Sequence, residues 1–302
     1  MTDPSTASIT LQSPKPDVLR RPGRPKRIVI TVVIIAIALA IVIGFLSSGV
    51  VDWATVGQYL FSGPILQGLL VTIELTLLSM VIGIVLGVVL ALLARSRTPA
   101  IAAAGKTYIW FFRGTPVLVQ LIFWFNLGLV IPVIGFGDFS IATNTLITPF
   151  VAAVLGLGLN EGAYMSEIIR AGISSVDRGQ SEAGLASGMT PGQVMRKVIL
   201  PQALRFIVPP TGNQAIGMLK TTSLVSVIAA QDLLTQAQHI YATNFRIIEL
   251  LVVASIWYLV LTSIATYFQS RLERRIGEPM LVAAGKRKRA VVLEQPAGED
   301  HS

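Results

Sequence analysis

Four polar side chains lie inside stretches that are otherwise apolar: Glu74, Glu161 (beside Asn160), Asn213 and Lys220. An ionisable group in hydrocarbon costs about 2.5–3.5 kcal/mol or more, so such groups are expected to face an interior path rather than lipid. A pocket holding both a glutamate and a lysine suits a zwitterionic solute, with Lys220 toward a carboxylate and a glutamate toward an ammonium. The same groups could instead pair with each other, or with backbone carbonyls bared at glycine and proline breaks. No catalytic or metal-ligating set is expected beside them. The chain has no cysteine, which removes thiol catalysis, disulfides and cysteine-based metal sites. The two histidines, His239 and His301, are too few for a His-rich metal site, and neither falls in an apolar stretch, as an intramembrane Ser/His protease would need. No G-x-S-x-G elbow occurs. Gly105-Lys106-Thr107 comes nearest to a phosphate-binding G-x-x-x-x-G-K-[ST] loop, but Ala100 replaces the first glycine and no strand pattern precedes it. It reads as a loop, and no nucleotide site or other cofactor is expected in this chain.

The elements that would hold these groups are long apolar runs. Of 302 residues, 53% are hydrophobic and 13% charged, and the mean hydropathy is +0.69. Soluble domains carry roughly 25% charged residues, so the excess apolar surface needs lipid as its solvent. Apolar stretches run over 28–46, 66–94, 108–131, 147–171, 206–230 and 248–268. Each is long enough for the roughly 20 residues that cross a bilayer as a helix. The expected fold is therefore an all-α membrane protein with about six transmembrane helices. The first stretch is longer than a signal-peptide core of about 7–15 residues and lacks a small-residue cleavage site, so 28–48 reads as an uncleaved additional N-terminal transmembrane helix. Residues 1–27, basic and proline-rich, and 277–302 read as disordered tails.

The net charge of +8 is distributed by side. Basic segments (Arg20 to Arg27; Arg95, Arg97 and Lys106; Arg170 to Arg205; Arg271 to Arg289) alternate with segments holding only Asp52, only Asp138, or almost no charge near 232–246. The positive-inside rule then places both termini in the cytoplasm.

Residues 174–201 are too polar to span and are punctuated as helices. Asp177 with Gln180 resembles a capping box, and a short helix is expected to stop at Gly188, where a left-handed backbone costs glycine little. Thr190, Pro191 and Gln193 give a second start, and Pro201 is expected to end that second helix. Two short helices on the inner membrane surface would give an outside partner something to push.

The spacing Glu182-Ala183-Gly184, then Gly188, then Val198 and Leu200-Pro201, resembles the cytoplasmic coupling motif of ABC importer permeases. Two positions depart from it: Gly184 stands where alanine is usual, at a helix cost of about 1 kcal/mol, and Val198 where isoleucine is usual. Thr72-Ile73-Glu74-Leu75-Thr76, Phe112-Arg113-Gly114-Thr115-Pro116, Gly162-Ala163-Tyr164 with Glu167 to Gly172, and Leu219 to Leu224 are similar to permeases of polar amino-acid importers over about 66–271. The resemblance implies a five-helix permease core in the bacterial plasma (inner) membrane, moving polar amino acids inward by alternating access. It implies that Glu182, Ala183, Gly184, Gly188, Leu200 and Pro201 couple to separate ATPase subunits that bind ATP and Mg. It implies an extracytoplasmic solute-binding protein and a homodimer or heterodimer of permeases. An ion-coupled secondary transporter is the rival; such proteins often carry inverted repeats, and none is visible here.

Overall fold

The computed structural model describes residues 24–47, 49, 51–136 and 139–293. The chain divides into two units, residues 1–52 and 53–302. The first holds α1 (Arg24–Ser47), a helix of 24 residues. That is about 36 Å of helix, enough for a hydrocarbon core of about 30 Å. Its side chains from Ile28 to Ile41 are apolar or neutral and all exposed. The helix begins ahead of the apolar run, taking in the basic residues from Arg24; the tail before it lies outside the described residues.

The second unit opens with α2 (Trp53–Leu60) and α3 (Gly63–Leu93). Pro64 falls in the first turn of α3, where its missing N–H removes no helical bond. The expected span over 108–131 is two helices, α4 (Pro99–Gly114) and α5 (Val117–Phe125), bent by 101°. The break falls in the middle because the first helix begins ahead of the apolar stretch, behind Thr98-Pro99. Thr115 is extended (φ −110°, ψ 141°), as a residue before proline prefers to be. This also overturns the loop reading of Gly105-Lys106-Thr107, which lies within α4; a Cβ on Gly105 would meet the backbone of Ala94 at 3.0 Å. A short α6 (Leu127–Val130) leads to a two-stranded antiparallel hairpin, β1 (Val133–Ile134) with β2 (Ile141–Ala142), and then α7 (Thr143–Leu146).

α8 (Pro149–Ser174) is started by Thr148, whose hydroxyl accepts the backbone N–H of Val151. It packs along α3. Four glycines set the spacing. Gly83 and Gly87 on α3 face Glu161 and Met165, and Gly158 and Gly162 on α8 face Ile82 and Leu86. The small-residue pair on α3 is thus used inside the subunit.

After α8 come α9 (Arg178–Ala186), α10 (Pro191–Val194), a π-turn over Met195–Ile199, α11 (Leu200–Thr221) and a 3₁₀ turn over Thr222–Ile228. Pro201 does not end a helix as expected. The chain runs on into α11, and the π-turn explains how. Proline cannot donate to Lys197 and would crowd its carbonyl. The wider turn carries the backbone past, with the N–H of Leu200 bonded five residues back to Met195.

α12 (Leu233–Asn244) occupies the stretch read as a nearly uncharged loop, packed on α3 and α13. Buried Asp232 caps it, accepting the N–H groups of Leu234 (3.2 Å) and Thr235 (3.0 Å) and the Tyr258 hydroxyl (3.2 Å). α13 (Ile247–Leu293) follows. Its backbone stays helical past residue 277, where a disordered tail was expected; the alanines, lysines and arginines there are strong helix formers.

Among the described residues, α3 and the α13 segment Ile247–Ile276 are long and apolar enough to cross a membrane by themselves, and the bent α4–α5 pair has the length and composition for a third crossing only when taken together, as a broken span or a re-entrant loop. α8 and α11, with 26 and 22 residues, have the length but carry Asn160, Glu161, Asn213 and Gln214. Three of these polar residues, Asn160, Glu161 and Gln214, line the site described next.

Candidate functional site

The segment leaving α8 forms a hairpin of two short helices. The Asp177 carboxylate accepts the N–H of Gly179 at 2.7 Å, capping α9. The expected box with Gln180 does not form. Gln180 instead accepts from the Gln202 side chain (3.2 Å), tying α9 to the start of α11. α9 ends in paired turns: Met189 N–H to Gly184 O (3.2 Å) and Gly188 N–H to Leu185 O (3.0 Å), with Gly188 at φ +79°. Gly188→Ala is expected to cost about 1 kcal/mol through that left-handed backbone, read as a lower melting temperature of the purified assembly. The second start is built as expected, with Thr190 and Gln193 in a reciprocal capping box.

Gly184 is buried, and a Cβ there would come 2.9 Å from Cγ2 of Val194. The missing methyl lets α9 lie close on α10, which offsets its poor helix propensity. Val194 belongs to an apolar cluster with Ala91 of α3, Met165 and Ile169 of α8, and Ala203 and Ile207 of α11. The opposite side of the hairpin is bare: Glu182, Ala183, Gly188, Leu200 and Pro201 are exposed. One side is thus fastened to three helices and the other is free.

A cavity of about 500 Å³ opens between α8, α11 and the α4–α5 break. It is lined by the α4–α5 break from Arg113 to Val117, by Leu157, Asn160, Glu161 and Tyr164 of α8, and by Gln214, Gly217, Met218 and Thr221 of α11. The break would leave carbonyls without partners. Gln120 donates to the carbonyls of Phe112 and Thr115 (3.1 Å each), and Asn160 donates to Phe112 O (2.8 Å) and Gln120 Oε1 (3.3 Å). These two amides hold the bend open.

Of the path residues expected from sequence, Glu161 lines the cavity, only 4% exposed, while Glu74, Asn213 and Lys220 are exposed and outside it. The Gln214 amide donates to Glu161 at 3.3 Å. Among the described residues no Lys or Arg comes within 4.0 Å of the Glu161 carboxylate. Arg113 lies over the Tyr164 ring at 5.4 Å and lines the cavity. Glu167 and Arg170 form an i,i+3 ion pair at 2.5 Å. Gln120, Tyr164 and Gln214 were not anticipated; Gln120 had a signal, as a lone amide in an apolar run.

A bundle with a polar cavity at a broken helix and a one-side-free hairpin behind it defines a membrane transport subunit. The chain belongs to the family described as "binding-protein-dependent transport system inner membrane component", whose model matches residues 83–278. It is 44% identical over 263 residues to the arginine transport system permease protein ArgU of Corynebacterium glutamicum, covering 86% of this chain and 83% of that protein. It is 37% identical to the glutamine transport system permease protein GlnP of Escherichia coli K12, covering 74% and 97%. Among solved structures it is similar to an amino acid ABC transporter with histidines: TM-score 0.66, 38% identity, covering 74% of this chain and 99% of that one. The chain is therefore a multi-pass permease subunit of an ABC importer, a transport component that works with ATPase and substrate-binding partners. Nothing in these relationships favours ion coupling.

Proposed function

We propose that the cargo is an amino acid carrying an ammonium or cationic side chain that docks on Glu161, and that it moves inward through the cavity. The observation carrying this is a buried carboxylate in a solute-sized cavity, with the Gln214 amide in reach and, among the described residues, no Lys or Arg within 4.0 Å of it. Such a charge calls for a positive partner. The names of the relatives, arginine and glutamine permeases among them, support the class of cargo. A solute-binding protein delivers the amino acid outside, and both termini lie in the cytoplasm, as the basic segments indicate. The permease works as a pair, with a second copy or a similar chain. ATP and Mg bind partner ATPases, which grip the exposed side of the 177–200 hairpin. Closing of the ATPases moves the hairpin, and the cluster around Val194 passes that movement to α3, α8 and α11.

Glu182→Arg tests the coupling. It reverses a charge on the free side and leaves the packed side alone. In the reconstituted importer, substrate-stimulated ATP hydrolysis should fall at least about tenfold, the scale of losing one charged contact of ~1.4 kcal/mol or more. Unchanged stimulation would remove the hairpin from the coupling path.

A further inference from the structure

We propose that the β1–β2 hairpin is a lipid anchor, with Phe136 and Phe139 seated in the headgroup layer of the membrane surface remote from the α9–α10 hairpin. The two phenyl side chains are 93% and 90% exposed. Beneath them Val133, Ile134 and Ile141 of the strands are exposed as well. Successive strand residues point to opposite faces, so Val133 and Ile134 make both faces apolar. A strand pair bathed in water keeps a polar face, and two strands alone are marginal there.

The position along the bundle fits that surface. Arg170, near the far end of α8, is exposed, and such a charge belongs at the edge of the hydrocarbon. A core of about 30 Å takes up roughly 20 residues of helix at 1.5 Å each. Counting back from Arg170 along α8 reaches its first turn, and α7 joins that turn to β2. The hairpin thus stands where hydrocarbon meets headgroups, at the opposite end of α8 from α9. Water at that level still reaches the strand edges, which lipid tails could not satisfy. No Lys or Arg occurs between Arg113 and Arg170, so the segment carries no cation to seek an acidic partner.

The backbone holds the aromatic pair in place. Gly135 has φ +120°, and a Cβ on it would strike the Phe139 carbonyl. The Phe139 N–H bonds to the Phe136 carbonyl at 3.2 Å. At the base, buried Thr143 donates its N–H to Pro132 O (2.9 Å) and its hydroxyl to Ile131 O. A solute-binding protein would cover the tip only while docked, leaving two phenyl rings in water between deliveries. Lipid covers them throughout. The apolar surface also continues toward the bundle through exposed Leu129 and Val130 to Ile122 and Phe123 of α5. Because the hairpin joins α5 to α8, the anchor tethers two helices beside the cavity.

The absence of cysteine makes the test direct. Ser140→Cys, exposed beside the tip, leaves both rings in place and takes a thiol-reactive fluorophore in the assembled importer in lipid nanodiscs. Lipid carrying a headgroup nitroxide should quench this label, and aqueous iodide should quench it far less than a label at exposed Arg97→Cys. Adding the solute-binding protein should change neither result. In a Phe136→Ser/Phe139→Ser background the nitroxide quenching should be lost and iodide access gained; Phe136→Ser alone serves if the pair does not assemble, as judged by co-purifying ATPase. Iodide access that disappears only when binding protein is added would overturn the anchor and make the tip a docking surface for that protein. A label reached by neither quencher would overturn it in favour of cover by another protein chain. Nitroxide quenching that survives loss of the rings would show that Phe136 and Phe139 are not what holds the hairpin in lipid.

Discussion

Gly87→Val should leave little folded protein in the membrane, and what remains should melt well below the wild type. A Cβ at Gly87 would lie 2.5 Å from the Cβ of Met165, and 3.0 Å from the Met165 carbonyl carbon and the Ser166 nitrogen. Two of those atoms are backbone and cannot swing away, so α3 and α8 would have to part. The interface cannot absorb this elsewhere, because Gly83 already lies against Glu161, and Gly162 against Leu86, with equally little room. Overpacking a core costs typically 1–3 kcal/mol, and a rigid backbone contact belongs at about the upper end. The separation would also move Glu161, which shares the α8 face with Met165. Gly57→Val is the control, since nothing lies within 4 Å of a Cβ there. If both variants gave the same yield and melting temperature in detergent, close packing of α3 on α8 would not be what holds the bundle.

The α3–α8 contact is half legible in the sequence: Gly83 and Gly87, four apart in an apolar run, fit the small-xxx-small pattern of a close helix approach, but spacing cannot say whether the neighbour is in the same chain. Helix boundaries failed where chemistry overrode the apolar pattern. The 108–131 run looked continuous because Thr115-Pro116 is only two residues, yet a proline's hold on its neighbour is enough to bend the path by 101°. α12 was invisible for the opposite reason. Its 12 residues are polar on much of their surface, and what fixes its start is contact with distant helices: the Tyr258 hydroxyl donates to Asp232, and the Thr72 hydroxyl accepts the N–H of Leu233. Pro201 looked like a stop because α-helical bonding fails there; a π-turn was the alternative that local rules did not offer.

The hairpin was more readable than the cavity. Its caps and its glycine turn are local devices, set by residues within five positions of each other. The cavity is an encounter of three helices. Sequence could flag buried-depth polar groups but could not sort them by direction. Glu161 and Lys220 seemed a natural pair for a zwitterion, yet they lie on different faces, and the cation that lines the cavity is Arg113. Asn160 donates to a carbonyl that the helix break leaves bare, that of Phe112.

Glu161→Gln should keep the fold and abolish most transport. The side chain keeps its volume, and one amide oxygen remains to accept from Gln214, so packing against Gly83 is preserved. What disappears is the negative charge. Hydrogen bonds to charged groups contribute about 1.5–3 kcal/mol, which corresponds to roughly ten- to a hundredfold in affinity. The loss should appear as weaker amino-acid binding to the reconstituted permease and a matching loss of uptake, with the melting temperature close to wild type. Comparing cargoes then tells which end of the amino acid Glu161 meets. If it takes a cationic side chain, arginine uptake should collapse while a neutral amino acid is little affected. If it takes the α-ammonium, all amino acids should lose alike. Either pattern places the carboxylate on the path. Wild-type binding and uptake for every cargo would show instead that Glu161 serves only to hold Gln214 and that the cavity selects by other means.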